Sequence, residues 1–136
     1  MGRCLVAYDR RCPETLHRAF ANCAGVGSIQ SITVNAAGTF AYLATGNGGY
    51  VLTLSIDPTS GALTQVTGGS CGAHSGVPGV NYIKINSAGT YAYMANGWVL
   101  NVSVCSINPS SGGLTDVPGS PFGVGARPVG IGVVQH

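Results

Sequence analysis

Charge is scarce in this chain of 136 residues: Asp, Glu, Lys and Arg make up 7%, where about a quarter is usual. Four of the six basic residues, Arg3, Arg10, Arg11 and Arg18, crowd the N-terminal stretch, leaving only Lys84 and Arg127 for the rest. No basic face is available to a phosphate backbone, which argues against a nucleic-acid partner. Long apolar runs are also missing, and without one no segment reaches membrane-spanning length, so no membrane partner is expected. The first residues, Met1-Gly2-Arg3-Cys4-Leu5, lack the long apolar segment of a signal peptide. Close cysteine pairs are absent as well. Cys4, Cys12, Cys23, Cys71 and Cys105 form no C-x-x-C motif, so nothing nucleates a metal site, and no metal or cofactor is expected. Five is an odd number, so in an oxidising compartment at least one thiol is free or pairs between chains. Cys12 and Cys23 are a candidate local disulfide, and Cys105 reads as a small buried side chain in an apolar strand.

What is present is apolar and glycine-rich. Apolar residues reach 45%, and 22 glycines are spread along the chain. That composition opposes disorder. It suits short strands joined by Gly-rich turns.

The chain repeats itself. Ile32-Thr33-Val34-Asn35-Ala36-Ala37-Gly38-Thr39-Phe40-Ala41-Tyr42-Leu43-Ala44 aligns with Ile83-Lys84-Ile85-Asn86-Ser87-Ala88-Gly89-Thr90-Tyr91-Ala92-Tyr93-Met94-Ala95 at an offset of 51. The offset holds without a gap through Ser55-Ile56-Asp57-Pro58 and Ser106-Ile107-Asn108-Pro109, then through Gly61-Ala62-Leu63-Thr64 and Gly112-Gly113-Leu114-Thr115. Nearly half of the positions between 28 and 69 are identical to their partners.

Each unit reads as four strands. The first unit predicts them at 29–34, 39–44, 50–56 and 62–67, the second at 80–85, 90–95, 98–107 and 113–117. The turns Asn35-Ala36-Ala37-Gly38 and Asp57-Pro58-Thr59-Ser60-Gly61 carry the residues that tight turns require. Short connections make neighbouring strands antiparallel. Four strands at a period near fifty make a propeller blade. The fold class is therefore all-β: an incomplete β-propeller with full blades at 28–78 and 79–127. Residues 128–136 read as the first strand of a further blade. Residues 1–27 read as a partial blade, its third strand ending in Cys4-Leu5-Val6-Ala7-Tyr8-Asp9 and its fourth starting at Thr15. A rival reading makes residues 13–24 a short helix opened by Pro13 and stopped by Gly25.

Tyr42-Leu43-Ala44-Thr45, Tyr93-Met94-Ala95-Asn96, Ile107-Asn108-Pro109-Ser110-Ser111-Gly112-Gly113-Leu114-Thr115 and Gly119-Ser120-Pro121-Phe122 together resemble the blade of the lactonase-type seven-bladed propeller family and its YVTN-repeat relatives. The resemblance spans residues 28 to 134, and only weakly 1 to 27. It implies the fold. It does not imply lactone hydrolysis, because fold and activity separate readily, and no matching set of channel residues is found here to carry over.

Two blades and a fraction do not close a ring. Their open ends predict a homo-oligomer through strand complementation or blade stacking, with Leu5, Val6, Val129, Ile131 and Val133 as the assembly strands.

Candidate sites are few. Gly68-Gly69-Ser70-Cys71-Gly72 matches the nucleophile-elbow pattern with His74 nearby, but it falls in an inter-blade loop and lacks the strand-turn-helix setting. His17, His74 and His136 are isolated, and the four acids Asp9, Glu14, Asp57 and Asp116 form no catalytic pair. No catalytic residue is assigned. Trp98 breaks the repeat, standing where the first unit has Asn47, and is a candidate ligand platform, with packing as the plainer role. Asn101-Val102-Ser103 is a glycosylation acceptor pattern inside a strand. Low Lys content, Ser/Thr/Gly richness and five cysteines lean toward an extracytoplasmic setting. The reading taken from sequence is a non-enzymatic propeller scaffold for binding or self-assembly, its small-molecule or carbohydrate ligand unidentified. The alternatives are a lactonase-like hydrolase active in a completed ring and a structural extracellular or cell-surface filament subunit.

Overall fold

A computed structural model describes residues 29–46, 51–66 and 79–134. Among these the chain is all-β, with no helix. Strands β1 (Ile29–Val34), β2 (Phe40–Thr45), β3 (Val51–Ile56) and β4 (Leu63–Gln65) form one antiparallel sheet in sequential order. Strands β5 (Val80–Ile85), β6 (Tyr91–Asn96), β7 (Asn101–Ile107) and β8 (Leu114–Asp116) form the second in the same order, and β9 (Phe122–Gly123) adds to it beside β7. Two blades are therefore present, as the repeat requires. Their registers are copies: Ile32↔Leu43 and Phe40↔Ser55 in the first become Ile83↔Met94 and Tyr91↔Ser106 in the second.

The turns show why. Asn35 Oδ1 accepts from the amides of Thr39 and Phe40 at 2.9 and 3.0 Å, and its Nδ2 donates to Thr39 Oγ1 at 2.9 Å. Asn86 repeats all three contacts with Thr90 and Tyr91. At the next turn Asp57 Oδ1 accepts from Thr59 and Ser60, both at 2.8 Å, and Asn108 does the same for Ser110 and Ser111. A short polar acceptor is what the turn needs, so Asp and Asn exchange there.

Two strand expectations need correction. The third strand of the second blade starts at Asn101, not Trp98. Trp98 to Leu100 form a turn in which the Val99 amide donates to the Asn96 carbonyl at 3.3 Å and Leu100 adopts φ 56°, a left-handed conformation that cannot continue a strand. The second blade also has a divided outer edge. β8 pairs with the end of β7 at Cys105–Ile107, and β9 pairs with its start at Asn101 and Val102. Between them the Val104 carbonyl accepts from Val117 at 3.1 Å, and the Val104 amide donates to Ser120 Oγ at 3.0 Å. A serine hydroxyl thus satisfies a ladder group where the strand is interrupted.

Pro128 to Val134, expected as a further first strand, form no ladder among the described residues. A lone strand has no partner for its backbone. Val129 and Val134 are exposed there, and Ile131 and Val133 are half-buried. Residues 1–27, with Leu5, Val6, Cys12 and Cys23, lie outside the described residues, so neither their strands nor the rival helix is seen. The same holds for Ser70, Cys71, His74 and His136.

The main core lies between the blades. Tyr42, Ala44 and Val51 from one face of the first sheet bury against Val80, Ile83, Ala92, Met94, Cys105, Ile107 and Leu114, with Phe40 and Ile85 at the margin. Full burial of one large apolar side chain contributes about 1.5–3 kcal/mol, so this layer holds the sheets together. Cys105 is buried within it, as its apolar strand suggested, but it is disulfide-bonded and so more than a small packing side chain. A second cluster, Ala41, Leu43 and Leu54 with Ile29, Leu52, Ile56 and Leu63, occupies the opposite face of the first sheet.

Candidate functional site

The first strands of the two blades pack side by side, and β5 also contacts β2. Strands β1 and β5 start, and β2 and β6 end, at the same end of the blades because the pairs are antiparallel. A cleft of about 470 Å³ opens there. Gln30 and Gly46 line it from the first blade, Asn81, Tyr82 and Trp98 from the second, and Arg127 and Val129 from the segment that follows.

Local sequence places each of these. Gln30 and Asn81 are the same position of the repeat, the second residue of each first strand. Trp98 is projected by the tight turn after β6. It lies against Gly79, where a Cβ would strike the indole, and Gly79 has φ 118°. The Arg127 guanidinium lies over the Trp98 ring, 4.8 Å from its centroid. Beside Arg127, Gly97 leaves room that a side chain would take: a Cβ there would meet Asn81 Nδ2 and come within 3.4 Å of Arg127 Nε. Trp98 remains 63% exposed although it is the only tryptophan of the chain.

The turn rests on a buried amide network. Asn96 Nδ2 donates to Asn101 Oδ1 and Ser103 Oγ, each at 2.7 Å, and Asn96 Oδ1 has no partner. Asn101 Oδ1 is thus engaged within its strand.

Chemically the cleft offers recognition. A guanidinium stacked on an indole keeps in-plane donors for an anionic group. The exposed indole suits stacking of an apolar or sugar ring, and Gln30 and Asn81 bring amide donors and acceptors. Among the described residues no group of three His, Cys, Asp or Glu side chains is placed to hold a metal ion.

The sequence singled out Trp98 and missed its company. Arg127 gave no signal beyond being one of two basic residues outside the N-terminal stretch. Gln30 and Asn81 gave a usable one, an amide recurring at the repeat offset. Asp57 sits in a turn and is fully exposed, its carboxyl held below the usual range by the Ser60 and Thr59 amides, the former first.

No protein-family model and no curated protein matches the chain. Solved structures do. A protein described as a "putative 6-phosphogluconolactonase" from Bacteroides uniformis matches with TM-score 0.63 and 25% identity, over 76% of this chain and 29% of that one. One with the same description from Bacteroides fragilis matches with TM-score 0.61 and 22% identity, over 72% of this chain and 26% of that one. The chain therefore spans less than a third of the length of either protein. The likeness and the repeat agree on architecture: this is an all-β protein whose described residues form two propeller blades, folded like part of those lactonase-type structures.

Proposed function

We propose that the chain forms blades of a lactonase-like propeller, and that the cleft at Trp98 and Arg127 takes an anionic, ring-shaped substrate of the sugar-lactone class. The observation that carries this is the fold likeness to the two Bacteroides proteins, each described as a "putative 6-phosphogluconolactonase". The place of the cleft supports it, because the first strands of propeller blades surround the central channel. Water would add to the lactone carbonyl and the ring oxygen would leave as a hydroxyl, giving the hydroxy acid. No residue is assigned as base.

The test is hydrolysis of 6-phosphogluconolactone by the purified chain, with the spontaneous rate subtracted. Turnover that falls at least tenfold in both Trp98→Ala and Arg127→Ala is expected. A rate equal to the spontaneous one in every oligomeric fraction would exclude the hydrolase.

A second reading, a binding scaffold without chemistry, is favoured by the lining itself. Its amides, aromatics and one guanidinium are recognition groups. Under it, sugar acids quench Trp98 fluorescence in saturable fashion while the lactone stays intact.

A further inference from the structure

We infer that Asn81 and Arg127 together clamp the oxyanion of the ligand, a carboxylate or a phosphate, over the backbone of Gly97. This rests on the reading of the cleft as a recognition site and adds the residue that selects for a charged ligand.

The amide is placed by a shift in strand register. In the second blade Val80 pairs with Asn96 and Tyr82 with Ala95, so Asn81 is an extra residue in its strand. In the first blade Ile29 pairs with Thr45 and Ser31 with Ala44, which leaves Gln30 extra at the same place. Such bulges bend a strand and re-aim a side chain. Both blades thus turn an amide into the cleft. In both, a glycine follows the second strand, Gly46 in the first and Gly97 in the second. Gln30 is already engaged, whereas the Asn81 side chain makes no hydrogen bond among the described residues.

Gly97 is the floor of the clamp. Its amide donates to the Gly79 carbonyl at 3.1 Å, which pins it in place. A Cβ at Gly97 would lie 2.3 Å from Asn81 Nδ2, 3.4 Å from Arg127 Nε and 3.3 Å from the Pro128 carbonyl oxygen. Having no side chain there lets two nitrogen donors converge on one point. That is the scale on which a single oxyanion is held, its donors about 2.7–2.9 Å from its oxygens. The Pro128 carbonyl beside them can accept from a neighbouring hydroxyl of the ligand.

Electrostatics point the same way. The Trp98 ring covers one face of the guanidinium, leaving the edge of N–H groups for the anion. Among the described residues Arg127 is the only charged one that lines the cleft. Asn81 adds a donor beside it without adding a charge that would repel a carboxylate or phosphate.

Trp98 fluorescence reads the test. Gluconate supplies a carboxylate without phosphate, glucose 6-phosphate a phosphate without carboxylate, and glucose is the uncharged control. Saturable binding of at least one anion is expected, and the tighter arm names the group held. Asn81→Asp keeps the shape and removes the donor. Its affinity for that anion should fall at least about tenfold, the scale of a lost hydrogen bond to a charged group, with the glucose response and the circular dichroism unchanged. Asn81→Gln installs the amide of the other bulge and should keep most of the affinity. Gly97→Ala carries no left-handed strain, since Gly97 is not among the glycines with positive φ; it should push the amide aside and lose affinity likewise. No binding of either anion by the unmodified chain would overturn the clamp. So would equal affinity in folded Asn81→Asp, or a loss in Asn81→Gln as large as in Asn81→Asp. The clamp and the hydrolase fail separately. Lactone turnover unchanged in Asn81→Asp sustains the hydrolase and overturns the clamp, and anion binding that is lost in Asn81→Asp, in a chain without turnover, does the reverse.

Discussion

The Tyr42 hydroxyl donates to the Gly112 carbonyl, 3.1 Å away, across the interface of the two blades. The two residues lie seventy positions apart in sequence, and their contact ties the second strand of one blade to the third turn of the next. Tyr42 is wholly buried, and desolvation pushes its phenol up to about 12. Replacing it with phenylalanine leaves the Gly112 carbonyl without that donor, at a cost of about 1–2 kcal/mol.

The same phenol gives a pH signature. Its folded value lies above its unfolded value of 10.0, so the folded state keeps a proton that the unfolded chain gives up. Stability from this group is full below pH 10.0 and falls as pH rises toward about 12. Thermal melts across that window are expected to show a shallower alkaline loss in Tyr42→Phe than in the unmodified chain. Equal slopes contradict the assignment.

Gly112 and Gly61 separate backbone strain from contact. Both have φ 71°, but a Cβ at Gly112 meets the Phe40 ring and one at Gly61 meets nothing described. Alanine at either site bears the left-handed penalty, about 1 kcal/mol. Gly112→Ala adds a clash with a partly buried ring, typically about 1–3 kcal/mol more. Comparing urea midpoints of dilute, monomeric samples should therefore rank Gly112→Ala well below Gly61→Ala.

Asp57 is a turn acceptor, not a reactive acid. Asp57→Asn should leave the melting temperature nearly unchanged, since Asn108 fills the same role, while Asp57→Ala should lower it. The Asp57 carboxyl is held below its usual value by the Ser60 and Thr59 amides. Its share of stability is thus present above the unfolded value and lost as pH falls through the folded one. Acid titration of stability should show this loss in the unmodified chain and not in Asp57→Asn.

Trp98 is a built-in reporter because the chain has one tryptophan. Arg127→Ala removes the guanidinium above its ring and is expected to shift the emission spectrum without altering the far-ultraviolet circular dichroism. It should also abolish quenching by sugar acids. An unchanged spectrum would break the pairing of these two residues.

Much of this architecture was legible from repetition alone. Asn35 and Asn86, or Gly61 and Gly112, recur because the same turn needs the same chemistry. The strand pattern Phe40-Tyr42-Ala44 recurs because the same face is buried. What could not be read lies where the repeat breaks. Trp98 looked like strand, since only three dimensions reveal the positive φ of Leu100. Strand β9 was hidden because Ser120 interrupts the outer edge with a side-chain hydrogen bond, which leaves no periodicity. The cleft was half legible: Trp98 was conspicuous, whereas Arg127 reaches it from outside any strand.

The account turns on one claim, that Trp98 and Arg127 act together in one recognition cleft between the blades. Titration with a sugar acid, followed by Trp98 fluorescence, tests it most directly, because the chain has one tryptophan. The account predicts saturable quenching in the unmodified chain and its loss in folded Arg127→Ala. No quenching in the unmodified chain, or equal quenching in both proteins, would contradict it.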